Sequence, residues 1–435
     1  MTAPRAAAPI VKSRERLEAG RGGHGAAALT SSPVSRVAQF LVFFLLMLAV
    51  LGGMHYYMWA RLVRDPGLPE PLRRILTAAL VVAALMIPAT FFLARLVGRP
   101  VPRILPFAAF GWLGLSFLLF SALLALDLAR ATGTALAWLA AALLGSRADP
   151  ADPVRRLFLA RAVAGSAVLV AGGAAAVAVR RATGEPRVKE VPVRLARLPP
   201  ALSGFTIAQI TDLHVGPTIG RHAVRRVVEE TNALSPDLVA ITGDLVDGSV
   251  AEIGEAVSEI ARLRARHGVY FVTGNHEYYS GVGQWMRELR RLGVRVLRNE
   301  RVSVGDATPG GASIDLAGID DWRSGGMAPG HGPDLPRALA ERDPERGLVL
   351  LAHQPLGFPE ALRAGVGLQV SGHTHGGQIF PFSLLVGAVY RFSRGLYRHR
   401  EGEAEGWIYV SPGTGYWGPP MRLGTTSEIT RIVLV

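Results

Sequence analysis

The chain contains no cysteine among its 435 residues. It therefore cannot form a disulfide, bind a metal through a thiolate or use a cysteine nucleophile. Any metal site in this protein must use nitrogen and oxygen ligands. The absence of cysteine is compatible with either side of a membrane, so it indicates no compartment.

Ionisable residues are almost missing from the middle of the long apolar runs in the N-terminal part of the sequence. His55 and Asp127 are the main exceptions, and both lie near the end of a run. Transporters use ionisable residues at mid-membrane depth, so this pattern argues against a transporter. The net charge is +13, but much of the arginine flanks the apolar runs, where cations contact lipid head groups. We therefore expect no nucleic-acid partner.

The apolar residues are distributed unevenly. Hydrophobic residues make up 49% of the chain and the mean hydropathy is +0.28, above that of an ordinary soluble protein. The run at 131–144 is shorter than the roughly 17 residues that a span requires, so we expect an interfacial or continuing helix there. The sequence predicts a mobile polar tail at 1–35, a transmembrane region of four or five spans at 36–182 and a linker at 183–203. Runs long enough to cross a bilayer occupy 37–60, 75–97, 104–127 and 157–179.

The orientation of the last run is suggested by its flanking charges. The phrase at 155–159, Arg-Arg-Leu-Phe-Leu, resembles a twin-arginine export signal. The alternative is a simple arginine pair at the cytoplasmic end of a helix, and both interpretations put the C-terminal domain outside the cytoplasm. Arg180, Arg181, Arg187 and Lys189 on the other flank argue for the reverse orientation. We expect an extracytoplasmic C-terminal domain in a multi-pass protein of the cell membrane.

Residues 204–435 follow a different pattern, in which short β-rich runs alternate with amphipathic helical stretches. This alternation predicts an α/β domain with a mixed sheet system and helices outside. The predicted strands are 205–211, 237–242, 269–273, 294–297, 314–318, 348–352, 367–371, 407–410 and 429–434, and the predicted helices are 221–233, 250–266, 283–292, 335–341 and 359–364.

Five short segments at the ends of predicted strands supply Asp, His and Asn in unusual density. Open α/β sheets form their sites at the carboxyl ends of strands, so these segments are expected to converge on one cleft. A single carboxylate such as Asp244 can bridge two cations about 3.5 to 4 Å apart, the spacing that clamps a phosphoryl group. Asp247 is expected to support its loop. The segments are Thr211-Asp212-Leu213-His214, Gly243-Asp244-Leu245-Val246-Asp247, Gly274-Asn275-His276-Glu277, His353-Gln354-Pro355 and Gly372-His373-Thr374-His375.

With these five segments, residues 205–435 resemble the calcineurin-like metallophosphoesterase superfamily. The resemblance implies a four-layer α/β/β/α sandwich with two mixed sheets. The run at 372–378, Gly-His-Thr-His-Gly-Gly-Gln, is similar to the membrane-anchored bacterial branch of that family. Members of that branch are described as phosphodiesterases, and relatives cleave the pyrophosphate of UDP-2,3-diacylglucosamine.

The resemblance also implies a role for each matching position. Asp212, His214 and His375 would hold a first metal ion, Asn275, His353 and His373 would hold a second, and Asp244 would bridge them. A water shared by the ions is expected to lose its proton near neutral pH and to attack phosphorus. His276 would donate to the phosphoryl or leaving-group oxygen, and its alternative role is to orient Asp244. Manganese is expected to support activity, and iron, zinc or nickel also suit these ligands.

The segment after the last of these motifs, 376–406, mixes aromatic and cationic side chains. It is expected to bind a phosphate and an apolar or nucleobase group, to rest on the membrane surface, or to be an exposed loop. The hypothesis is a membrane-anchored, metal-dependent phosphoesterase that cleaves a phosphodiester or pyrophosphate on a lipid-linked or nucleotide-linked substrate. The alternative is a catalytically silent membrane scaffold or sensor. The side chains are Phe380, Phe382, Tyr390, Arg391, Phe392, Arg394, Tyr397, Arg398, His399 and Arg400.

Overall fold

A computed structural model describes residues 33–97, 102–145, 152–306, 308 and 310–435. The described N-terminal part contains four long helices. These are α1 (Pro33–Trp59), α2 (Glu70–Val97), α3 (Ile104–Leu143) and α4 (Pro153–Thr183). The tail expected at 1–35 lies outside the described residues, apart from its last three, which are in the first turn of α1.

The chain divides into two compact units, Met1–Gly53 and Met54–Val435. In the first unit the described residues form the greater part of α1, and its apolar side chains Leu41, Val42 and Leu45 are exposed. The second unit contains the end of α1, the other three long helices and the whole C-terminal domain.

Three helices within the described residues are long and apolar enough to cross a membrane, at Glu70–Thr90, Ile104–Leu143 and Pro153–Thr183. Exposed apolar side chains cover their outer surfaces, for example Val82 on α2, Leu128 on α3 and Leu169 on α4. Such surfaces suit lipid rather than water, and the protein is a membrane protein. One continuous helix, α3, contains both the third apolar run and the shorter run at 131–144.

His55 and Asp127, the two ionisable residues singled out in the apolar runs, have partners. His55 accepts from the indole N–H of Trp112 at 3.0 Å. Asp127 accepts from the Tyr57 hydroxyl at 2.6 Å and pairs with Arg61 at 2.8 Å. These contacts satisfy polar groups that would otherwise face hydrocarbon, as expected of residues that stabilise a helical bundle.

The C-terminal domain is a sandwich of two six-stranded sheets. The first sheet has the order β1-β12-β2-β3-β4-β5 and the second has β10-β11-β9-β8-β7-β6. The strands are β1 (Arg187–Val193), β2 (Thr206–Ile210), β3 (Leu238–Thr242), β4 (Val269–Val272), β5 (Arg295–Val296), β6 (Glu300–Gly305), β7 (Ser313–Gly318), β8 (Leu348–Leu351), β9 (Leu368–Ser371), β10 (Gly395–Glu401), β11 (Ala404–Val410) and β12 (Glu428–Leu434).

Helices cover both outer faces of the sandwich. On β3, Leu238 and Ala240 face the core between the sheets, whereas Val239 and Ile241 face the outer helices, as the two-residue period of a strand requires. This arrangement confirms the predicted four-layer α/β/β/α fold. The helices are α5 (Arg221–Ala233), α6 (Val250–Val257), α7 (Asn275–Tyr279), α8 (Val282–Arg291), α9 (Leu335–Ala338), α10 (Phe358–Arg363) and α11 (Phe382–Val389).

The segment 183–203, which is expected to be a linker, includes a strand of the first sheet. It contains β1, which pairs in parallel with β12 along its whole length, so the first sheet begins at Arg187. Four prolines between 186 and 200 had indicated a linker. An edge strand tolerates Pro192 because one side of its backbone needs no ladder hydrogen bond. Helix α4 therefore leads almost directly into the sandwich.

Candidate metal centre

The predicted site residues all follow the carboxyl ends of strands, in two groups of parallel neighbours. The loops after β2, β3 and β4 belong to the first sheet, and the loops after β8 and β9 belong to the second. The two sheets therefore bring the predicted site residues to the same end of the sandwich. The residues are Asp212 and His214 after β2, Asp244 after β3, Asn275 and His276 after β4, His353 after β8, and His373 and His375 after β9.

Five of these residues have left-handed backbone conformations, although none is glycine. Their φ angles lie between 50° and 72°, at Asp212, His214, Asp244, His373 and His375. Each such conformation costs roughly 1 to 3 kcal/mol and persists only where the surrounding structure enforces it. Such a concentration of strained residues is typical of functional sites.

The first cluster consists of Asp212, His214 and His375, with one ligand atom from each within 4.8 Å of the others. Nε2 of His214 lies 3.0 Å from Nε2 of His375, which in turn lies 3.5 Å from Oδ1 of Asp212. All three residues are buried. Two imidazole nitrogens and a carboxylate oxygen that converge on one point are suited to hold a divalent cation.

The second cluster consists of Asp244, His353 and His373. Nε2 of His353 lies 3.1 Å from Oδ2 of Asp244 and 3.3 Å from Nδ1 of His373. Oδ1 of Asn275, whose chain neighbour His276 donates its backbone N–H to Asp244, is buried and has no hydrogen-bond donor among the described residues. An amide oxygen seldom stays buried without a partner, so its position fits a metal ligand.

Asp247 lies behind both His214 and His276. Its Oδ1 accepts from Nδ1 of His214 at 3.2 Å and from Nδ1 of His276 at 2.5 Å. A carboxylate on Nδ1 fixes the tautomer and the orientation of the ring and leaves Nε2 for the site. Its backbone N–H also donates to Val215. Asp247 therefore supports its loop, as expected, and also positions two site histidines.

Glu277 is a structural residue of the site whose role the sequence did not reveal. Its fully buried carboxylate accepts from the backbone N–H groups of Gly274, Asp244 and Leu245 at 2.6 to 3.1 Å. It thus caps its own turn and also connects the loops after β3 and β4. Burial, helped by the nearby Asp244 charge, raises the pKa of Glu277 to about 7.

Two pairs of histidines lie in contact, His214 with His375 and His353 with His373. In each pair the pKa of the first ring is raised and that of the second is lowered. Burial lowers the pKa of His375 well below its usual value. Burial also acts to lower the pKa of His214, but the carboxylates of Asp247, Asp244 and Asp212 together raise it to about 9. Burial and the neighbouring His353 lower the pKa of His373 to about 3. Burial also acts to lower the pKa of His353, but Asp244, Asp212 and Asp321 together raise it. Because the rings of each pair lie in contact, a positive charge on one ring opposes protonation of the other.

Arg422 connects the first cluster to the membrane helices. Its guanidinium is fully buried, donates to the carbonyls of Pro412 and Gly415, and lies 3.4 Å from Nδ1 of His375. Its backbone N–H donates to the carbonyl of Ala178 on α4 at 2.9 Å. No motif in the sequence had singled out Arg422, although it lies on the loop that closes the site.

Comparison with known proteins indicates the family to which the C-terminal domain is similar. Residues 205–377 match the family model for calcineurin-like phosphoesterases. A bovine (Bos taurus) "transmembrane protein with metallophosphoesterase domain" is 41% identical over 307 residues, which are 69% of this chain and 67% of that protein. The zebrafish (Danio rerio) protein of the same name is 41% identical over 57% of each chain. An "uncharacterized metallophosphoesterase" of Aquifex aeolicus is 32% identical over 57% of this chain and 91% of its own length.

The match therefore spans 67% of the bovine protein and 57% of the zebrafish protein. It spans 91% of the Aquifex protein. With the bovine protein, the aligned 307 residues exceed the 173 of the family-model match, so the similarity continues outside that match.

Proposed function

The chain belongs to the calcineurin-like phosphoesterase family, and on that basis we propose that it is a membrane-anchored phosphoester hydrolase with a binuclear metal centre. One observation carries the proposal. Two clusters of ligand atoms, one with Asp212 and one with Asp244, form at the same end of the sandwich from strands of both sheets.

The proposed ligands divide between two ions. Asp212, His214 and His375 would hold the first, Asn275, His353 and His373 the second, and the Asp244 carboxylate would serve both. Manganese is the proposed ion, and iron, zinc and nickel suit the same nitrogen and oxygen ligands. When bound, such ions neutralise phosphoryl charge and lower the pKa of water from 15.7 towards about 7.

His276 is the proposed general acid. Its Nδ1 is occupied by Asp247, which leaves Nε2 to donate a proton to the leaving-group oxygen. For the alternative, that the ring orients Asp244, Nε2 of His276 lies 3.9 Å from Oδ2 of Asp244, which is beyond hydrogen-bond distance. The backbone N–H of His276 instead donates to Oδ1 of Asp244 at 2.9 Å. The ring is partly exposed and packs against Trp417, so it borders the open side of the site.

The proposed substrate carries a phosphodiester or a pyrophosphate on a lipid or a nucleotide. The close attachment of the sandwich to the membrane helices, through Arg422 and Ala178, supports a substrate at the membrane. We also propose that the domain faces outside the cytoplasm, on the basis of the arginine pair at the start of α4.

The test is hydrolysis by the purified full chain loaded with Mn²⁺. Three substrates are compared: a chromogenic phosphodiester, a chromogenic monoester and a UDP-sugar lipid. Hydrolysis of the diester or of the UDP-sugar lipid, lost in Asp244→Asn, supports the proposal. If the loaded protein hydrolyses none of them, the scaffold or sensor hypothesis replaces it.

A further inference from the structure

Helix α11 presents an apolar surface to the outside of the domain. Four of its eight residues, Phe382, Leu384, Leu385 and Val389, are large apolar side chains with about half or more of their surface exposed, and only Val386 is buried. The preceding Phe380 is also 49% exposed. A continuous apolar surface of this kind on a folded domain marks a contact with a protein or a membrane. We define Phe380, Phe382, Leu384, Leu385 and Val389 as the apolar rim.

The apolar rim is continuous with the packing of the membrane helices. Ile379, next to the rim, and Met421 are buried in one cluster with Leu119 of α3 and with Ala171 and Ala175 of α4. Ala171 and Ala175 lie within the apolar stretch of α4 that is long enough to span a bilayer. The segment that leads into α11 is therefore packed against the side of helices that lie in lipid.

The same helix is attached to the metal site at both ends. At its start, Ser383 lies so close to Gly377 that no side chain fits at Gly377. Gly377 is the last residue of the short turn that begins at His375. At its end, the hydroxyl of Tyr390 lies 3.3 Å from Nε2 of His373. Thr374, between these two histidines, donates to the carbonyl of Ser393 at 2.6 Å. A membrane or protein that binds α11 would therefore lie beside the candidate metal ligands His373 and His375.

We propose that the apolar rim inserts into the bilayer that holds the protein's own helices. Insertion would place the metal site at the level of the lipid head groups. At eight residues, α11 is too short to span the membrane and long enough to lie in the interface. The exposed Arg391, which follows α11, then meets lipid phosphates. This inference rests on the proposed function and narrows its substrate to a phosphoester carried by a lipid in the bilayer.

The first test measures the depth of α11 without using activity. Because the chain contains no cysteine, Leu384→Cys carries a single spin label on the rim. The matched control label is carried by Arg290→Cys, at an exposed position on α8. Helix α8 lies beside β5, which is the edge strand of the first sheet opposite β1. In proteoliposomes the Leu384 label should collide more with oxygen than with a water-soluble nickel chelate, and the Arg290 label should show the reverse.

Two outcomes of the depth measurement overturn the proposal. One is a Leu384 label as accessible to the nickel chelate as the Arg290 label, which places the rim in water. The other is a Leu384 label shielded from both relaxing agents, which shows that a protein partner covers the rim instead of lipid.

The second test compares two substrates with the same reacting group, ethyl and hexadecyl p-nitrophenyl phosphate, the latter mixed into phosphatidylcholine vesicles. In both, water adds to phosphorus and the bond to p-nitrophenolate breaks. The double variant L384D/L385D should keep its rate on the ethyl ester and lose at least about tenfold on the hexadecyl ester, because charged side chains leave the bilayer. Met327→Asp, at another exposed apolar side chain, is the matched control and should change neither rate.

Equal rates of the double variant and the wild type on the hexadecyl ester would contradict the proposal, as would an equal loss on both esters. Failure of the wild type to cleave either ester would count against the proposed hydrolase function instead. The depth measurement would still decide where α11 lies, so the two failures are distinguishable.

Discussion

The backbone N–H of Arg422 donates to the carbonyl of Ala178, a residue of the membrane helix α4, at 2.9 Å. The guanidinium of the same Arg422 lies beside the candidate ligand His375. A single buried residue therefore contacts both α4 and the candidate metal site. The C-terminal domain therefore packs against α4 through the loop that contains Arg422. This contact is additional to the covalent connection through 184–186.

This packing predicts a sharp difference between two glycines of α3. A side chain at Gly114 would approach the sulfur of Met421 to 2.6 Å and Pro419 to 3.0 Å, whereas a side chain at Gly111 meets nothing within 4 Å. Gly114→Val should therefore destabilise the protein by about 1 to 3 kcal/mol through overpacking. Thermal unfolding in detergent measures the loss, and Gly111→Val is the matched control. Equal melting temperatures for the two variants would show that this contact does not matter.

Asp247 should matter for activity without being a ligand. Asp247→Asn keeps the shape of the side chain but removes the carboxylate that holds His214 and His276. The loss of such a partner typically costs 10 to 100-fold in metal affinity or activity, so we expect about that loss in kcat/KM. Metal titration followed by kinetics separates the two effects, with the exposed Asp343→Asn as control. Unchanged affinity and unchanged kcat/KM would rule out the positioning role.

His276 should show its role through the leaving group. If it donates a proton, His276→Ala lowers hydrolysis of an alkyl diester by roughly 10² to 10⁴-fold, but has a much smaller effect with p-nitrophenolate, which leaves without a proton. The measurement is kcat for both substrates in the same preparation. An equal loss with both leaving groups would indicate instead that the ring acts on Asp244.

The orientation in the membrane can be tested with single cysteines in this cysteine-free chain. Residues at the two ends of α4 lie on opposite sides if α4 spans the membrane. We expect a membrane-impermeant maleimide to label Arg290→Cys, in the domain that follows α4, in intact cells, and to label Val154→Cys, in the first turn of α4, only after permeabilisation. The reverse pattern would place the catalytic domain in the cytoplasm.

The sequence was most informative where chemistry requires particular residues at strand ends. The segments that contain Asp212, Asp244 and His353 could be recognised because parallel strands bring their carboxyl ends together. The sandwich followed from the alternation of strands and helices and from the family resemblance. The grouping of the ligand atoms into two clusters was expected from that resemblance, and their roles as metal ligands remain predictions.

Other features could not be predicted because they depend on tertiary contacts. β1 contains Pro192 and charged residues, and only pairing with β12 makes it a strand. Arg422 lies 47 residues after His375, and no local pattern indicates that its guanidinium would be buried beside that ring. Helix α11 lies in a segment whose aromatic and cationic composition suggested three alternatives. The exposure of its apolar side chains Leu384, Leu385 and Val389 became evident only from the structure.

The central claim is that two cations share the Asp244 carboxylate. The most direct measurement is the metal content of the purified full chain after saturation with Mn²⁺, by elemental analysis, together with the turnover of a chromogenic diester. We predict two ions per chain in the wild type, and fewer than two ions with turnover abolished in Asp244→Asn. A saturated wild type with only one ion, or an Asp244→Asn protein with unchanged turnover, would contradict the account.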